Sequence, residues 1–270
     1  MKEYLRLFRL GNGIIGILGV VIGAFIAVGW DIDDYVFEII IGCLIVIAFI
    51  AGGNSLNDYI DREIDKVGHP ERPLPKGEIS PRTALYLGIG GLVIAVILSL
   101  FLVSVLVTTV VIVAAVLMVA YEMFLKQRGF VGNLTIALLT GLVFLFGGSV
   151  VGNIEANLII AAMAALVNVG REIAKDIEDM SSDEGRRTLP MVMGVRNACI
   201  VGAIFFIAGP VLSFWPLIND TFGILYCVVF VADAIFIYTA CLIFGKAHMA
   251  QKLAKPAMLI ALAAFVLGVL

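Results

Sequence analysis

The sequence predicts an all-α protein that crosses a membrane several times. Of its 270 residues, 61% are hydrophobic and only 14% are charged, whereas a soluble globular domain is about 45–50% apolar and about 25% charged. The apolar residues form long runs, and a helix needs about 20 such residues to cross the hydrocarbon core. Lysine and arginine occur only in alternate polar segments, which is typical of a multi-pass protein with positively charged cytoplasmic loops.

The apolar runs predict nine transmembrane helices within a single membrane-embedded domain, residues 1–270. The first eleven residues form a short basic amphipathic stretch that we expect to lie at the membrane surface. The stretch 83–125 is too long for one crossing, so we divide it into two spans near Ser104. The other predicted spans are approximately 12–30, 36–57, 131–151, 157–174, 197–214, 222–244 and 254–270.

The distribution of charge supports this arrangement. All 18 lysine and arginine residues lie before the first span or around the polar segments that follow the second, fourth, sixth and eighth spans, and the charged residues of the opposite loops are all acidic. This pattern predicts a cell-membrane protein with a cytoplasmic N-terminus. The four cysteines lack metal-ligand spacing. No basic face typical of nucleic-acid binding is present, so we expect membrane lipid rather than nucleic acid as a partner.

An acidic pattern, D-x-x-D-x-x-x-D, occurs twice, after the second and sixth predicted spans. The same offset, 118 residues, separates each aspartate from its counterpart, and similar sequences, RPLP and RTLP, follow the two copies. Steps of three and four residues place side chains on one face of a helix. We therefore predict an internal repeat of two four-helix halves followed by a last helix. The six aspartates are Asp58, Asp61, Asp65, Asp176, Asp179 and Asp183.

The paired acidic stripes predict a metal site at the cytoplasmic face. Three carboxylates on one helical face repel one another, and a hard divalent cation relieves that repulsion. Mg²⁺ prefers oxygen ligands and often shares the phosphate oxygens of a substrate. We therefore expect the six aspartates to be catalytic residues and, together with Asn57, ligands of Mg²⁺.

Polar and basic residues near the motifs are candidates for binding the substrate. Asn54 and Asn57 lie on the first motif's helix and offer neutral oxygen atoms. Six basic residues on the same predicted face can hold a diphosphate; they are Arg72, Lys126, Arg128, Lys175, Arg186 and Arg187, and the first four are the expected substrate-binding residues. A diphosphate site beside an apolar bundle favours a prenyl diphosphate, with its tail between the helices.

Two ionisable positions remain outside this predicted site. Asp233 falls within the eighth span, where an ionisable group is costly and is a functional candidate by default, but it can equally bond to a neighbouring helix. Glu122 lies near the cytoplasmic end of its span, where a structural ion pair and a substrate contact are equally consistent with the sequence.

The motifs resemble those of the UbiA-type membrane prenyltransferases over nearly the whole chain. The resemblance implies a nine-helix bundle with a cytoplasmic cap, in which the aspartates coordinate Mg²⁺ and a prenyl diphosphate. Tyr121 and Lys126 resemble the family's tyrosine–lysine element after the fourth helix. Arg9 and Asn12 resemble its polar pair on the first helix. The resemblance therefore adds Asn12 and Tyr121 to the expected substrate-binding residues.

Residues 57–80 and 170–190 are most similar to one branch of that family. This branch transfers a geranylgeranyl group from geranylgeranyl diphosphate to geranylgeranylglyceryl phosphate, which releases diphosphate and forms the second ether bond of archaeal lipids. The expected partners are thus a prenyl diphosphate and a lipid acceptor, and the oligomeric state stays open. Ser182 departs from the branch, where glycine is usual. Prenylation of an aromatic acceptor for quinone synthesis is the alternative within the family, and a secondary transporter is the alternative of another class.

Overall fold

The computed structural model describes residues 2–180 and 187–270, and in these residues it contains helices and no β-strand. The predicted all-α class is therefore confirmed. The α-helices are α1 (Lys2–Phe8), α2 (Leu10–Val28), α3 (Val36–Ile60), α4 (Arg62–Gly68), α5 (Pro81–Leu100), α6 (Val105–Ala120), α7 (Phe130–Val150), α8 (Glu155–Asp179), α9 (Leu189–Met193), α10 (Val195–Leu212), α11 (Trp215–Ile218), α12 (Val229–Leu242) and α13 (Ala247–Val269).

Eight stretches of the described residues are long and apolar enough to cross a membrane. The first, Leu10–Ile60, has 51 residues, which as one straight helix would span about 75 Å, far more than the ~30 Å hydrocarbon core. It contains α2 and α3, joined by a 3-10 turn at Gly29–Tyr35. Gly16 lies beside Ile50, and Gly42 lies beside Val20, so the two helices run antiparallel. The count of nine crossings stays a prediction.

The predicted division near Ser104 is confirmed. Helix α5 ends at Leu100, and the Ser104 hydroxyl accepts a hydrogen bond from the backbone N–H of Val107, 3.3 Å away, which caps the start of α6. The last predicted span began too late, since α13 starts at Ala247. The apolar run underestimates this helix because its first turns carry polar residues.

Small residues allow the helices that carry the motifs to pack closely. A Cβ atom placed on Gly52 of α3 would lie 2.8 Å from the backbone nitrogen of Leu92 in α5. A Cβ atom on Gly141 of α7 would lie 2.6 Å from the carbonyl oxygen of Ala161 in α8. Such contacts are typical of membrane helices, where small side chains let backbones approach. Each motif helix is thereby fixed against its neighbour in the sequence.

A small apolar cluster covers the end of α3 where the first motif lies. Leu7 of α1 is fully buried against Leu74 and Ile79 from the segment between α4 and α5, and Ala84 completes this cluster. Arg6 also forms an ion pair with Glu78 across the same contact. Helix α1 and the segment after α4 therefore form a packed cap beside the first motif.

Candidate active site

The first aspartate motif spans a break between two helices. Asp58 lies in the last turn of α3, Asp61 follows the end of that helix, and Asp65 lies in α4. The backbone N–H of Asp61 still donates to the carbonyl of Asn57 at 2.9 Å, and that of Asp65 donates to the carbonyl of Asp61 at 2.8 Å. The helical spacing predicted from the sequence therefore continues through the break.

Two arginines neutralise the buried carboxylates of this motif. Asp58 is only 2% exposed, and the Nη2 atom of Arg9 lies 2.5 Å from its Oδ1 atom. The Nη1 atom of Arg72 lies 2.6 Å from Asp65 Oδ2 and 3.7 Å from Asp58 Oδ1. Paired charges of this kind offset part of the cost of burying each carboxylate. Arg72, a predicted binding residue, therefore lies beside the first motif, and its role stays a prediction.

Arg9 is not among the predicted binding residues, yet it contacts three polar side chains here. Besides Asp58, it donates to Asn57 Oδ1 at 3.1 Å and to Asn54 Oδ1 at 3.5 Å. Asn54 in turn donates to the carbonyl of Phe8 at 3.0 Å. Arg9 has a left-handed backbone, with φ of 50°, which turns the chain between α1 and α2. The sequence signals for Arg9 were its position directly before the first apolar run and its resemblance, with Asn12, to the family's polar pair.

A second network joins the first motif to the end of α6. Lys126 pairs with Asp61 and also donates to Glu122 Oε2 at 3.2 Å. The Asn57 side-chain amide donates to Asp61 at 3.2 Å and to the two oxygens of Glu122 at 3.1 and 3.0 Å. The predicted residues Asn57, Asp61 and Lys126 are therefore brought together, and Glu122 completes their network.

The end of α6 has an unusual backbone. Residues Tyr121–Leu125 form a π-helical turn, closed by a hydrogen bond of 2.9 Å from the N–H of Lys126 to the carbonyl of Tyr121. Single π-helical turns within α-helices are frequent at functional sites. The Tyr121 side chain, a predicted binding residue, is partly buried in this turn.

The second motif lies at the end of α8. Asp176 accepts a hydrogen bond of 2.8 Å from the side-chain amide of Asn133 in α7, and Asp179 is the last residue of α8. Asp183 lies outside the described residues. Asn133 is buried and was not predicted; the sequence signal was an amide at the start of an otherwise apolar helix.

Residues 121–133, which we call the bridging segment, contact both halves of the chain. Its Gln127 carbonyl accepts a hydrogen bond of 3.4 Å from the N–H of Arg187, which follows the second motif. Gly129 has φ of +53°, and a Cβ atom there would lie 2.7 Å from the Arg187 carbonyl oxygen. Because Glu122 and Lys126 contact the first motif and Asn133 contacts the second, this segment links the two.

Three predicted binding residues have exposed side chains. Arg128 and Lys175 are exposed, and Asn12 is also exposed. Within residues 2–180 and 187–270, no hydrogen bond joins the Asn12 side chain to the network around Arg9, so its role stays a prediction.

Asp233 is buried and accepts a 2.6 Å hydrogen bond from Ser213, which ties α12 to the end of α10.

An apolar cavity lies along the helices that carry the first network. It has a volume of about 50 Å³ and lies between α3, α6 and α7. Phe49, one of its lining residues, is eight positions before Asn57, which corresponds to about 12 Å along α3. The remaining lining residues are Ile45, Val46, Val110, Val111, Ala114, Leu139, Leu142, Val143 and Phe146.

The donor atoms around the first motif suit a hard cation. They are carboxylate oxygens and the Asn57 amide oxygen, which are the ligands Mg²⁺ prefers. In the described part of the chain, no three acidic, histidine or cysteine side chains already converge as a metal cluster, since basic side chains pair with the aspartates of the first motif. The predicted metal ligands therefore stay a prediction.

The fold and the site define a multi-helix membrane protein with a carboxylate-rich network above an apolar cavity. The model of the UbiA prenyltransferase family matches residues 16–268. The chain therefore belongs to the UbiA prenyltransferase family and is an enzyme, so the transporter alternative is wrong.

Similar proteins of full length are known. The chain is 36% identical to the digeranylgeranylglyceryl phosphate synthase of Methanosphaera stadtmanae, with 100% of both chains covered. It is 38% identical to the enzyme of that name from Thermococcus kodakarensis, over 99% of this chain and 98% of the relative. A solved structure reported for a digeranylgeranylglyceryl phosphate synthase in membranes has a TM-score of 0.89 and 33% identity, and covers 99% of this chain and 98% of that one.

A more distant structure supports the fold alone. The UbiA homologue from Archaeoglobus fulgidus, solved with GPP and Mg²⁺, has a TM-score of 0.71 and 17% identity, over 97% of this chain and 99% of that one.

Proposed function

We propose that the protein transfers a geranylgeranyl group from geranylgeranyl diphosphate to geranylgeranylglyceryl phosphate, with Mg²⁺ as its cofactor. The products are diphosphate and the second ether bond of an archaeal membrane lipid. The observation that carries the proposal is the first motif, whose aspartates and basic partners lie at the end of the same helices that enclose the apolar cavity. The full-length similarity to digeranylgeranylglyceryl phosphate synthases gives the acceptor.

The polar network supplies the groups that a departing diphosphate needs. The aspartates of both motifs and Asn57 would hold Mg²⁺, which would supply positive charge to the diphosphate oxygens. Arg9, Arg72 and Lys126 already lie within this network and can donate charge-assisted hydrogen bonds to phosphate. As the carbon–oxygen bond of the donor breaks, these groups stabilise the charge that accumulates on the leaving oxygen.

A prenyl tail can lie along the apolar residues that line the cavity. The lining residues are all apolar, so water has no polar partners there. Exclusion of water protects the cationic allylic carbon until the acceptor hydroxyl attacks. That hydroxyl must lose its proton, and a carboxylate of the network or a released diphosphate oxygen is the acceptor that this arrangement offers.

We further propose that the site faces the cytoplasm, with the N-terminus on the same side. The segregation of lysine and arginine supports this orientation. The acceptor then approaches from the membrane, since it carries a long apolar tail and a phosphate head.

Competition between acceptors tests the function. Purified protein receives geranylgeranyl diphosphate, Mg²⁺ and equal amounts of geranylgeranylglyceryl phosphate, 4-hydroxybenzoate and dihydroxynaphthoate. We expect only the glyceryl phosphate to be consumed, and Asp61→Ala to abolish the reaction. Preferential prenylation of an aromatic acid would refute the lipid assignment in favour of the quinone alternative.

A further inference from the structure

Glu122 is a buried carboxylate that is not among the residues expected to hold the metal or the diphosphate. It is 7% exposed and lies in the π-helical turn at the end of α6. Its two oxygens accept from Asn57 Nδ2 at 3.1 and 3.0 Å, and Oε2 also accepts from Lys126 Nζ at 3.2 Å. Both partners are predicted to bind the metal or the diphosphate. Glu122 can therefore act on the site through them.

Glu122, together with Asp61 and Arg9, fixes which way the Asn57 amide faces. An ionised carboxylate only accepts hydrogen bonds, so Asn57 must present its NH₂ group to it. The Asn57 carbonyl oxygen then faces Arg9 Nη2 at 3.1 Å, and the same nitrogen contacts Asp58 Oδ1 at 2.5 Å. Asn57 Oδ1 and Asp58 Oδ1 thus both face the positively charged Arg9 Nη2 atom. Two oxygen atoms placed in this way could also coordinate one metal ion.

Lys126 is shared between two carboxylates. Its ammonium group has three donors and contacts both Asp61 and Glu122. A divalent cation bound by Asp61 would repel the Lys126 ammonium group, because the two positive charges would compete for one carboxylate. Glu122 would then remain as the partner that keeps the ammonium group beside the site.

We propose that Glu122 is a positioning residue, which retains Lys126 for the diphosphate and turns the Asn57 oxygen toward the cation when Asp61 binds metal. This inference rests on the proposed function for the identity of the diphosphate. The chain offers a matched control: Glu63 and Lys66 form an ion pair of 2.7 Å in α4, but their side chains are 67% and 60% exposed. An exposed pair of this kind has little effect on function or stability.

The test compares Glu122→Gln, Lys126→Met, the double variant and Glu63→Gln. Turnover gives kcat and the KM for geranylgeranyl diphosphate, and calorimetry in detergent gives the affinity for inorganic diphosphate with Mg²⁺. We expect Glu122→Gln to raise KM and weaken diphosphate binding by about tenfold with a smaller change in kcat, and Glu63→Gln to change neither. Because Glu122 acts partly through Lys126, its substitution should have less effect in the Lys126→Met background.

Additive effects of the two substitutions, or unchanged diphosphate binding in Glu122→Gln, would overturn the proposal. If Glu122→Gln does not fold, Glu122→Asp tests the proposal instead, because aspartate keeps the charge but has a shorter side chain. The proposal requires this folded variant to bind diphosphate more weakly than the wild-type protein. Wild-type affinity would overturn the proposal. A wild-type protein that binds diphosphate but transfers no prenyl group would refute the proposed function, while the binding data still decide the role of Glu122.

Discussion

Replacing Arg9 by methionine removes the nearest positive charge from the buried carboxylate of Asp58. Breaking a buried ion pair by removing one partner costs about 3–5 kcal/mol. Two features reduce this value: Arg72 remains 3.7 Å from Asp58, and the Arg9 side chain is 33% exposed. We therefore expect a loss of about 2 kcal/mol, which lowers the apparent melting temperature of a chain of this size by about 5 °C.

Thermal unfolding in detergent, followed by intrinsic fluorescence, measures this loss. We expect MgCl₂ to stabilise Arg9→Met more than the wild-type protein, because a bound divalent cation replaces the missing charge, whereas NaCl of equal ionic strength should not. Arg6→Met is the control, since the Arg6–Glu78 pair is partly exposed and should contribute less than about 1 kcal/mol. Wild-type stability of Arg9→Met, or equal stabilisation of both proteins by MgCl₂, would refute the reasoning.

Three further predictions follow from the site. Asp61→Ala should abolish diphosphate release while the protein remains folded, because Asp61 is an expected metal ligand. Asn133→Ala should lower kcat about tenfold, since it removes the donor that orients the first aspartate of the second motif; the control is the exposed Asn197→Ala. Gly129→Ala should destabilise the protein by more than about 2 kcal/mol, whereas Gly77→Ala, with positive φ but open space around it, should cost about 1 kcal/mol.

Each of these predictions has an outcome that contradicts it. Substantial diphosphate release by the Asp61 variant at limiting Mg²⁺ would contradict its role at the metal. Equal kcat values for the two asparagine variants would show that the Asn133 contact has no role in turnover. Equal unfolding temperatures for the two glycine variants would mean that the close approach at Gly129 is relieved without cost.

The sequence predicted the features that depend on local pattern. Hydropathy and the length of a crossing located the break near Ser104. In the structure this residue caps the next helix. The spacing of the first motif predicted that Asp58, Asp61 and Asp65 continue one helical path, which the backbone hydrogen bonds support. These conclusions need only short-range geometry.

The partners of the aspartates could not be predicted in the same way. Asn57 and Glu122 are 65 positions apart, and Arg9 is 49 positions from Asp58, so their contacts depend on how separate helices pack. The acidic stripe suggested that a metal would relieve the repulsion between carboxylates, but basic side chains from three other segments also do so. An acid four residues before a lysine, at the end of an apolar span, was the sequence signal for Glu122.

The bridging segment also determines where a reporter domain can be inserted. An insertion between Lys126 and Gly129 would separate Lys126, which contacts the first motif, from Asn133, which contacts the second. A fluorescent protein placed there should therefore inactivate the enzyme. The turn between α5 and α6 is the better position. Val103 in that turn is 92% exposed, and the antiparallel packing of α3 and α5 places the turn at the opposite end of the bundle from the first motif.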